Sequence, residues 1–334
     1  MTSSSVTSDI DVVVPTYRRP SHLQRCLEAL TTQSTPAARV IVVARADDLE
    51  SHHVVSRFGR QLSGLQLVTV TEPGVIAAMS AGVAATTAPV IAFTDDDAAP
   101  HADWLQRLGA HFAEDPTVGA VGGRDIVPSD PKPRSGTVGV FRRSGRLIGN
   151  HHVGMGPPRY VDVLKGVNMA FRAEALALPA PGVLRGSGAQ VDFEVLCCSY
   201  ARGQGWRIVY DPAIVVDHDP GPRYGPDGRR NGDKTAVSDA AHNSVVASSV
   251  LERQQRCRRA GYSVLVGSWD RPGVIRALVG SMRGESDVVH RALPSLRGAL
   301  AGLTLVGKRP RMSAVVVRAV ELRRPGQMTG GSDR

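Results

Sequence analysis

Three carboxylates in a row, Asp95, Asp96 and Asp97, follow the apolar run Val90-Ile91-Ala92-Phe93 and a single threonine. Adjacent like charges repel, and a divalent cation is the usual remedy. Hard oxygen ligands select Mg²⁺ or Mn²⁺ over zinc, and those ions commonly bridge a protein carboxylate and a diphosphate. Aspartate also suits a solvated turn or a helix cap, so the run alone leaves both readings open. Other groups able to do chemistry are spread along the chain. Tyr17 and Arg19 supply a ring and a guanidinium just after the first apolar run, and His218 ends Val215-Val216-Asp217-His218. Asp192 and Glu194 lie two apart, so on a helix their carboxylates point in different directions. Arg223, Arg229 and Arg230 share a segment with Gly221, Gly225, Gly228 and Gly232, a composition suited to folding over phosphate oxygens.

The elements that must position these groups follow from periodicity. Short β-branched runs at 10–14, 39–43, 65–70, 90–93 and 118–122 alternate with helical patterns, which predicts βαβ units on a mostly parallel sheet. Helices are expected after Pro20 (Leu23, Leu27, Leu30), after Pro73-Gly74 (Ile76, Met79, Val83) and after Pro100 (Trp104, Leu105, Leu108, Phe112). In such sheets ligands bind at the carboxyl ends of the strands, where the aspartates and Tyr17 fall. Glu72 and Gly74 precede a helix whose N-terminus would favour a phosphate. Residues 128–160, rich in Pro, Gly and Arg, read as a long surface excursion of the kind that forms lids or binding segments. A helix near 189–203 and strands at 206–210 and 212–218 complete the α/β part. Beyond it Ile275, Leu278, Val279 and Met282, then Val289, Leu293, Leu296, Leu300 and Leu303, show helical spacing.

The segments PTYRRP (15–20), EPGVIAAMSAG (72–82), FTDDDAAPHADWL (93–105), GVNMAFR (166–172), DFEV (192–195), GWRIVYDP (205–212) and VDH (216–218) occur in an order and spacing that resembles the family 2 glycosyltransferases over about residues 8–220. The resemblance implies a GT-A-like α/β fold: a mostly parallel sheet flanked by helices over 8–235, with a donor half at about 8–125 and an acceptor half at about 126–235. A basic helical C-terminal extension would occupy 236–325. It implies an inverting, metal-dependent enzyme, of hexosyltransferase class, that moves a sugar from a UDP, dTDP or GDP donor to a saccharide or lipid-linked acceptor. The setting it implies is cell-envelope or exopolysaccharide synthesis.

By the same resemblance Asp95 faces the nucleotide ribose, Asp97 binds Mn²⁺ or Mg²⁺, and His218 completes the metal site, with Asp96 able to substitute for either aspartate. Pro15, Thr16 and Tyr17 would meet the base, and Arg19, Glu72, Gly74 and Arg223 the diphosphate. Gly166, Asn168 and Met169 would line the sugar cleft, where an Asn amide can bind hydroxyls. Glu194 takes the register of the catalytic base, with Asp192 as the alternative. One departure stands out: Ala44 and Arg45 occupy the place after the second strand where the family has aspartates.

Composition narrows the alternatives. Cys26, Cys197, Cys198 and Cys257 lack the spacing of a disulfide framework or zinc site, which fits a reducing, cytoplasmic setting. The N-terminal residues lack the pattern of a secretory leader, and no apolar run is long enough to span a bilayer. The net charge of +9 is concentrated late: residues 251–334 hold 16 Lys/Arg against 6 Asp/Glu. A basic tail suits a solvated helical surface or peripheral contact with the inner face of the cell membrane. Only 4% of the chain is aromatic, which argues against a nucleic-acid-binding module. A degenerate transferase that binds nucleotide-sugar without turnover is the other alternative. No GxGxxG follows the first strand, and Asp97 is followed by two alanines, unlike a nicotinamide dehydrogenase or a haloacid-dehalogenase-type phosphatase.

Overall fold

The structure, a computed structural model, describes residues 9–129, 132–221, 233–308 and 311–323. The chain runs β1 (Ile10–Thr16), α1 (Pro20–Thr31), β2 (Arg39–Arg45), α2 (Leu49–Phe58), β3 (Leu65–Val70), α3 (Val75–Ala85), β4 (Val90–Phe93), β5 (Ala98–Pro100), α4 (Trp104–Glu114) and β6 (Val118–Ile126). It continues through the short strands β7 (Val140–Phe141), β8 (Leu147–Ile148) and β9 (Arg159–Tyr160), then β10 (Met169–Arg172), β11 (Ala177–Pro179), α5 (Phe193–Gly203) and β12 (Arg207–His218). The extension holds α6 (Lys234–Val246), α7 (Arg253–Leu265), α8 (Val274–Met282), α9 (Ser286–Gly307), β13 (Val316–Arg318) and α10 (Ala319–Leu322).

Among the described residues the main sheet has nine strands in the order β3-β2-β1-β4-β10-β6-β12-β5, with β9 also on β12. Strands β1, β2, β3, β4, β6 and β12 point one way, while β10, β5 and β9 run against them. The sheet is therefore mostly parallel, and β10 is wedged antiparallel between β4 and β6. Alternation along β1 assigns the two faces. Val13, Ile41 and Val43 pack with α3 and α5, whereas Val12, Val14, Val40 and Val42 pack with α1, α2 and α4. Both faces of the sheet are covered, which is why its strands read as continuous apolar runs. The expected helices after Pro20, Gly74 and Pro100 all form, and Trp104, Leu105, Leu108 and Phe112 are buried.

The second half departs from expectation in two places. The strands read at 206–210 and 212–218 are one strand, β12, whose register with β6 shifts between Asp211 and Val215. Pro212 sits in that irregularity, where a missing N–H costs no ladder bond. Residues 128–160 are not a surface excursion throughout. Val138, Phe141, His151 and Val153 are buried, and the Tyr210 hydroxyl donates to the His151 carbonyl at 2.7 Å. These apolar residues are spaced singly among Gly, Pro and Arg, so no period revealed them.

In the extension most of the spaced apolar residues of α8 and α9 lie on the outer face: Ile275, Leu278, Met282, Val289, Leu293 and Leu300 are exposed, while Leu303 packs against the cluster of α6 and α7. Small residues face inward instead. A Cβ on Gly298 would sit 1.9 Å from the Ser238 carbonyl oxygen, and one on Gly302 would sit 2.9 Å from that of His242, so α9 lies directly against α6. The chain then returns to the main body, because β13 pairs with β11 and Val315, Val316 and Ala319 join the sheet's core. Arg323 closes this return by donating to Thr86 Oγ1 and the Ala88 carbonyl. Replacing Gly298 by Ala should lower stability by about 1–3 kcal/mol through this overpacking, read as a drop in thermal midpoint. An unchanged midpoint would show that α6 and α9 are not closely apposed.

Candidate active site

The three aspartates diverge after β4. Asp96 turns back into the fold, fully buried, where it accepts from Thr16 Oγ1 at 2.7 Å and lies 2.6 Å from Arg19 Nη2. It does not open into the cleft, so it is not available to substitute for its neighbours. Asp95 and Asp97 face the cleft with His218, and one ligand atom from each falls within 4.8 Å of the others. Asp97 Oδ2 accepts from Arg19 Nη1 at 2.7 Å and from the Gly221 N–H at 2.9 Å. Its Oδ1 is buried without a hydrogen bond, 3.5 Å from His218 Nε2. Two hard carboxylates and an imidazole converging beside an unsatisfied buried oxygen form a donor set that fits a divalent cation.

His218 is oriented from behind. Its Nδ1 lies 3.4 Å from Asp125 Oδ2, and Lys165 also bonds that carboxylate. Burial opposes charge on the imidazole, but the carboxylates of Asp125 and Asp97 beside it outweigh that and raise its pKa to about 9. Burial likewise works against ionised Asp97, yet His218 and Arg19 hold it well below the usual carboxylate range. Asp95 is pushed up by burial and by the charge of Asp97. The site thus keeps a proton or a cation between its carboxylates. A metal would take the place of the imidazolium proton, and Asp125 would fix the ring through its other nitrogen.

A cavity of about 1110 Å³ opens at the carboxyl ends of the parallel strands. Pro15, Tyr17, Arg45, Glu72 and Gly74 line it on one side, and Lys165, Gly166, Phe193 and Glu194 on another. The guanidinium carbons of Arg18 and Arg45 lie 5.0 and 5.3 Å from the Tyr17 ring centroid. Asp47, half exposed, pairs with Arg18 at 3.3 Å. Asp48 is taken up in structure, accepting from Arg18 N at 2.5 Å and capping α2 through Ser51. Arg45 is therefore the charged group of β2 that meets the cavity. Thr16 contributes through Asp96, and Arg19 lines the cavity with its guanidinium committed to Asp96 and Asp97.

The α3 N-terminus does not wait for a phosphate. Val75 N–H donates to the Gly188 carbonyl at 2.8 Å and Ile76 N–H to Gln190 Oε1 at 3.0 Å, so its leading donors are already satisfied. Gly74 (φ 110°) is required there, since a Cβ would lie 2.5 Å from Gln190 Oε1. Asn168 is likewise not in the cleft. Fully buried, it accepts from Trp104 Nε1 at 2.9 Å and donates to the Arg124 and Ile214 carbonyls at 3.1 and 3.0 Å, tying α4, β6 and β12 together. Met169 is buried in the core. Arg223, Arg229 and Arg230 lie outside the described residues.

The structure separates Asp192 from Glu194. Glu194, in the first turn of α5, faces the cavity and accepts from the Gly166 N–H at 3.3 Å. Gly166 permits that approach, because a Cβ would come within 2.7 Å of Phe193 Cζ. Burial raises the Glu194 pKa to about 7, and the charge of Asp192 adds to the shift. Asp192 adopts φ 69° and turns toward the extension, bonded to Arg271 with Arg259 Nη2 at 3.9 Å. Burial opposes its ionisation, but these arginines hold it below the usual range. Asp125, Lys165, Gln190 and Arg271 were not legible as site residues. Asp125 carried the best signal, a carboxylate at the carboxyl end of a buried strand.

Residues 11–168 match the model of Glycosyl transferase family 2. Over that span, just under half of its length, the chain is similar to the family 2 glycosyltransferases, and its mostly parallel sheet flanked by helices is that of a GT-A fold. It is 29% identical over 101 residues to glycosyltransferase AglE of Haloferax volcanii, covering 29% of this chain and 33% of that protein. It is 29% identical over 217 residues to the pre-mycofactocin glycosyltransferase of Mycobacterium tuberculosis, covering 63% of this chain and 43% of that protein. The chain thus spans less than half the length of either relative. Among solved structures, residues 1–349 of S. aureus TarS superpose with a TM-score of 0.52 at 12% identity, covering 87% of this chain and 81% of that one, a likeness of fold.

Two substitutions test this geometry. Asp125→Asn should weaken Mn²⁺ binding roughly 10–100-fold by calorimetry, the usual effect of losing a carboxylate behind a ligating histidine; unchanged affinity would remove Asp125 from the site. Asn168→Ala should cost about 2–4 kcal/mol by leaving buried partners unpaired, while nucleotide affinity stays the same.

Proposed function

We propose that this enzyme is a metal-dependent inverting glycosyltransferase that moves a hexose from a nucleotide-diphosphate sugar to an acceptor hydroxyl. The observation that carries this reading is the placement of Asp95, Asp97 and His218 in one cavity with Glu194, while Asp192 is withdrawn. Inversion needs one in-line displacement, and so one base to remove the acceptor proton. Glu194 supplies it: the Gly166 N–H holds one oxygen, and burial keeps its affinity for a proton high enough to matter at neutral pH. A bound Mn²⁺ or Mg²⁺ would neutralise charge on the departing diphosphate. Asp95 and Asp97 would hold the metal and donor, His218 would complete the set, and Arg19 keeps Asp97 aimed by pairing with Asp96 and Asp97.

Tyr17 and Arg45 form the end of the cavity suited to a nucleobase, the ring for stacking and the guanidinium for carbonyl oxygens. Arg45 stands where the resemblance places aspartates, so UDP, dTDP and GDP are the donors to compare. A saccharide or lipid-linked acceptor would enter on the Glu194 side, in cell-envelope or exopolysaccharide assembly.

Calorimetry with UDP, dTDP and GDP, with and without Mn²⁺, tests the donor assignment: one diphosphate should bind only with metal, and Asp97→Asn should abolish that binding. Metal-independent binding of all three would contradict it. Glu194→Gln should lower kcat by about 10²–10⁴-fold with donor affinity kept. Because the base must be ionised, kcat/KM should fall about tenfold per unit below pH 7 and level off above it. A flat profile from acid to alkaline pH would exclude Glu194 as the base.

A further inference from the structure

The outer face of α8 and α9 is costly to leave in water. Ile275, Leu278 and Met282 repeat at i, i+3 and i+7, with Leu278 61% and Met282 88% exposed. Val289, Leu293 and Leu300 continue the pattern on α9, and the two helices pack at Gly280 and Val288 across the short turn between them. Trp269, half exposed just before α8, carries the Arg276 guanidinium 4.4 Å from its ring centroid. Packing within the chain does not use these side chains, because α9 meets α6 through its glycines. An exposed apolar stripe on this scale marks a docking surface.

Charge identifies what docks. Residues 265–311 hold eight Lys/Arg against three Asp/Glu. Two of the three acids, Asp270 and Asp287, each lie 3.8 Å from Arg291, while Arg283, Arg297, Lys308 and Arg311 are exposed. A second copy docking through the same face would set one basic surface against another. Apolar side chains flanked by exposed cations, with a tryptophan at the edge, match the interface of an anionic bilayer. Among the described residues no helix is long and apolar enough to cross a membrane, so these helices would lie in the surface.

We infer that the α8–α9 face binds an anionic phospholipid surface, with Trp269, Leu278, Met282 and Leu293 inserted and Arg283 and Arg297 at the headgroups. The docking stands apart from the transfer reading. Its consequence for that reading is orientation: Arg271, in the turn between α7 and α8, bonds Asp192 at the entry to α5, so the docked face adjoins the Glu194 side of the cavity.

Sedimentation of the full chain with phosphatidylcholine vesicles, with and without phosphatidylglycerol, tests this. The wild type should pellet with the anionic vesicles and not with phosphatidylcholine alone. The triple variant Leu278→Gln/Met282→Gln/Leu293→Gln should partition at least about tenfold less, with circular dichroism and Mn²⁺ binding unchanged. Arg283→Glu/Arg297→Glu should lose binding on its own. No pelleting with either vesicle would overturn the inference, as would pelleting that the triple variant leaves intact. A dimer in light scattering that the triple variant dissolves, without vesicle binding, would assign the face to a second copy instead.

Discussion

Everything in this site depends on how a run of three carboxylates is kept at the end of a buried strand. Arg19 meets the problem by bridging Asp96 and Asp97, and Thr16 adds a hydrogen bond to Asp96. Thr16 ends β1 and Arg19 lies in the connection that follows, both beside β4 because β1 and β4 are parallel neighbours. One aspartate is thereby spent on structure, and the other two are left facing the cleft. His218 arrives from the far side of the sheet at the end of β12, with its imidazole proton partly balancing the remaining charge. The same imbalance that a proton relieves is what a divalent cation would relieve more fully.

The antiparallel β10 turns this cluster into a cleft with two ends. Wedged between β4 and β6, it brings Gly166 to within reach of Glu194 and places Asn168 where it ties α4, β6 and β12. The buried amide of Asn168 serves positioning, and the short backbone approach at Gly166 serves the carboxylate. Asp125 and Lys165 extend the network behind His218, so that the orientation of one imidazole depends on both halves of the domain.

The extension belongs to the same argument. Its last described segment returns to the sheet through β13 and Arg323, and Arg271 and Arg259 draw Asp192 away from the cavity. Two carboxylates two residues apart thus acquire opposite fates: Asp192 is stabilised as a charge by two arginines, while Glu194 is left with backbone donors and a raised proton affinity.

Local patterning was enough to establish the βαβ half, because continuous β-branched runs, proline-led helix starts and a two-sided apolar core are short-range signals. The aspartates at a strand's end, His218 closing another strand and the spacing of the motif segments likewise pointed from sequence alone to the family resemblance and to a candidate metal site. Tertiary structure decided what depends on partners distant in the chain. It turned Asp96 inward because Arg19 and Thr16 reach it, filled the α3 N-terminus with Gln190 and Gly188, and buried the Asn168 amide. It separated Asp192 from Glu194 through Arg259 and Arg271, about 67 and 79 residues further on. Periodicity also found the helices of the extension but not which face is covered: apolar spacing says which residues share a side, and the glycine contacts between α6 and α9 say which side is covered.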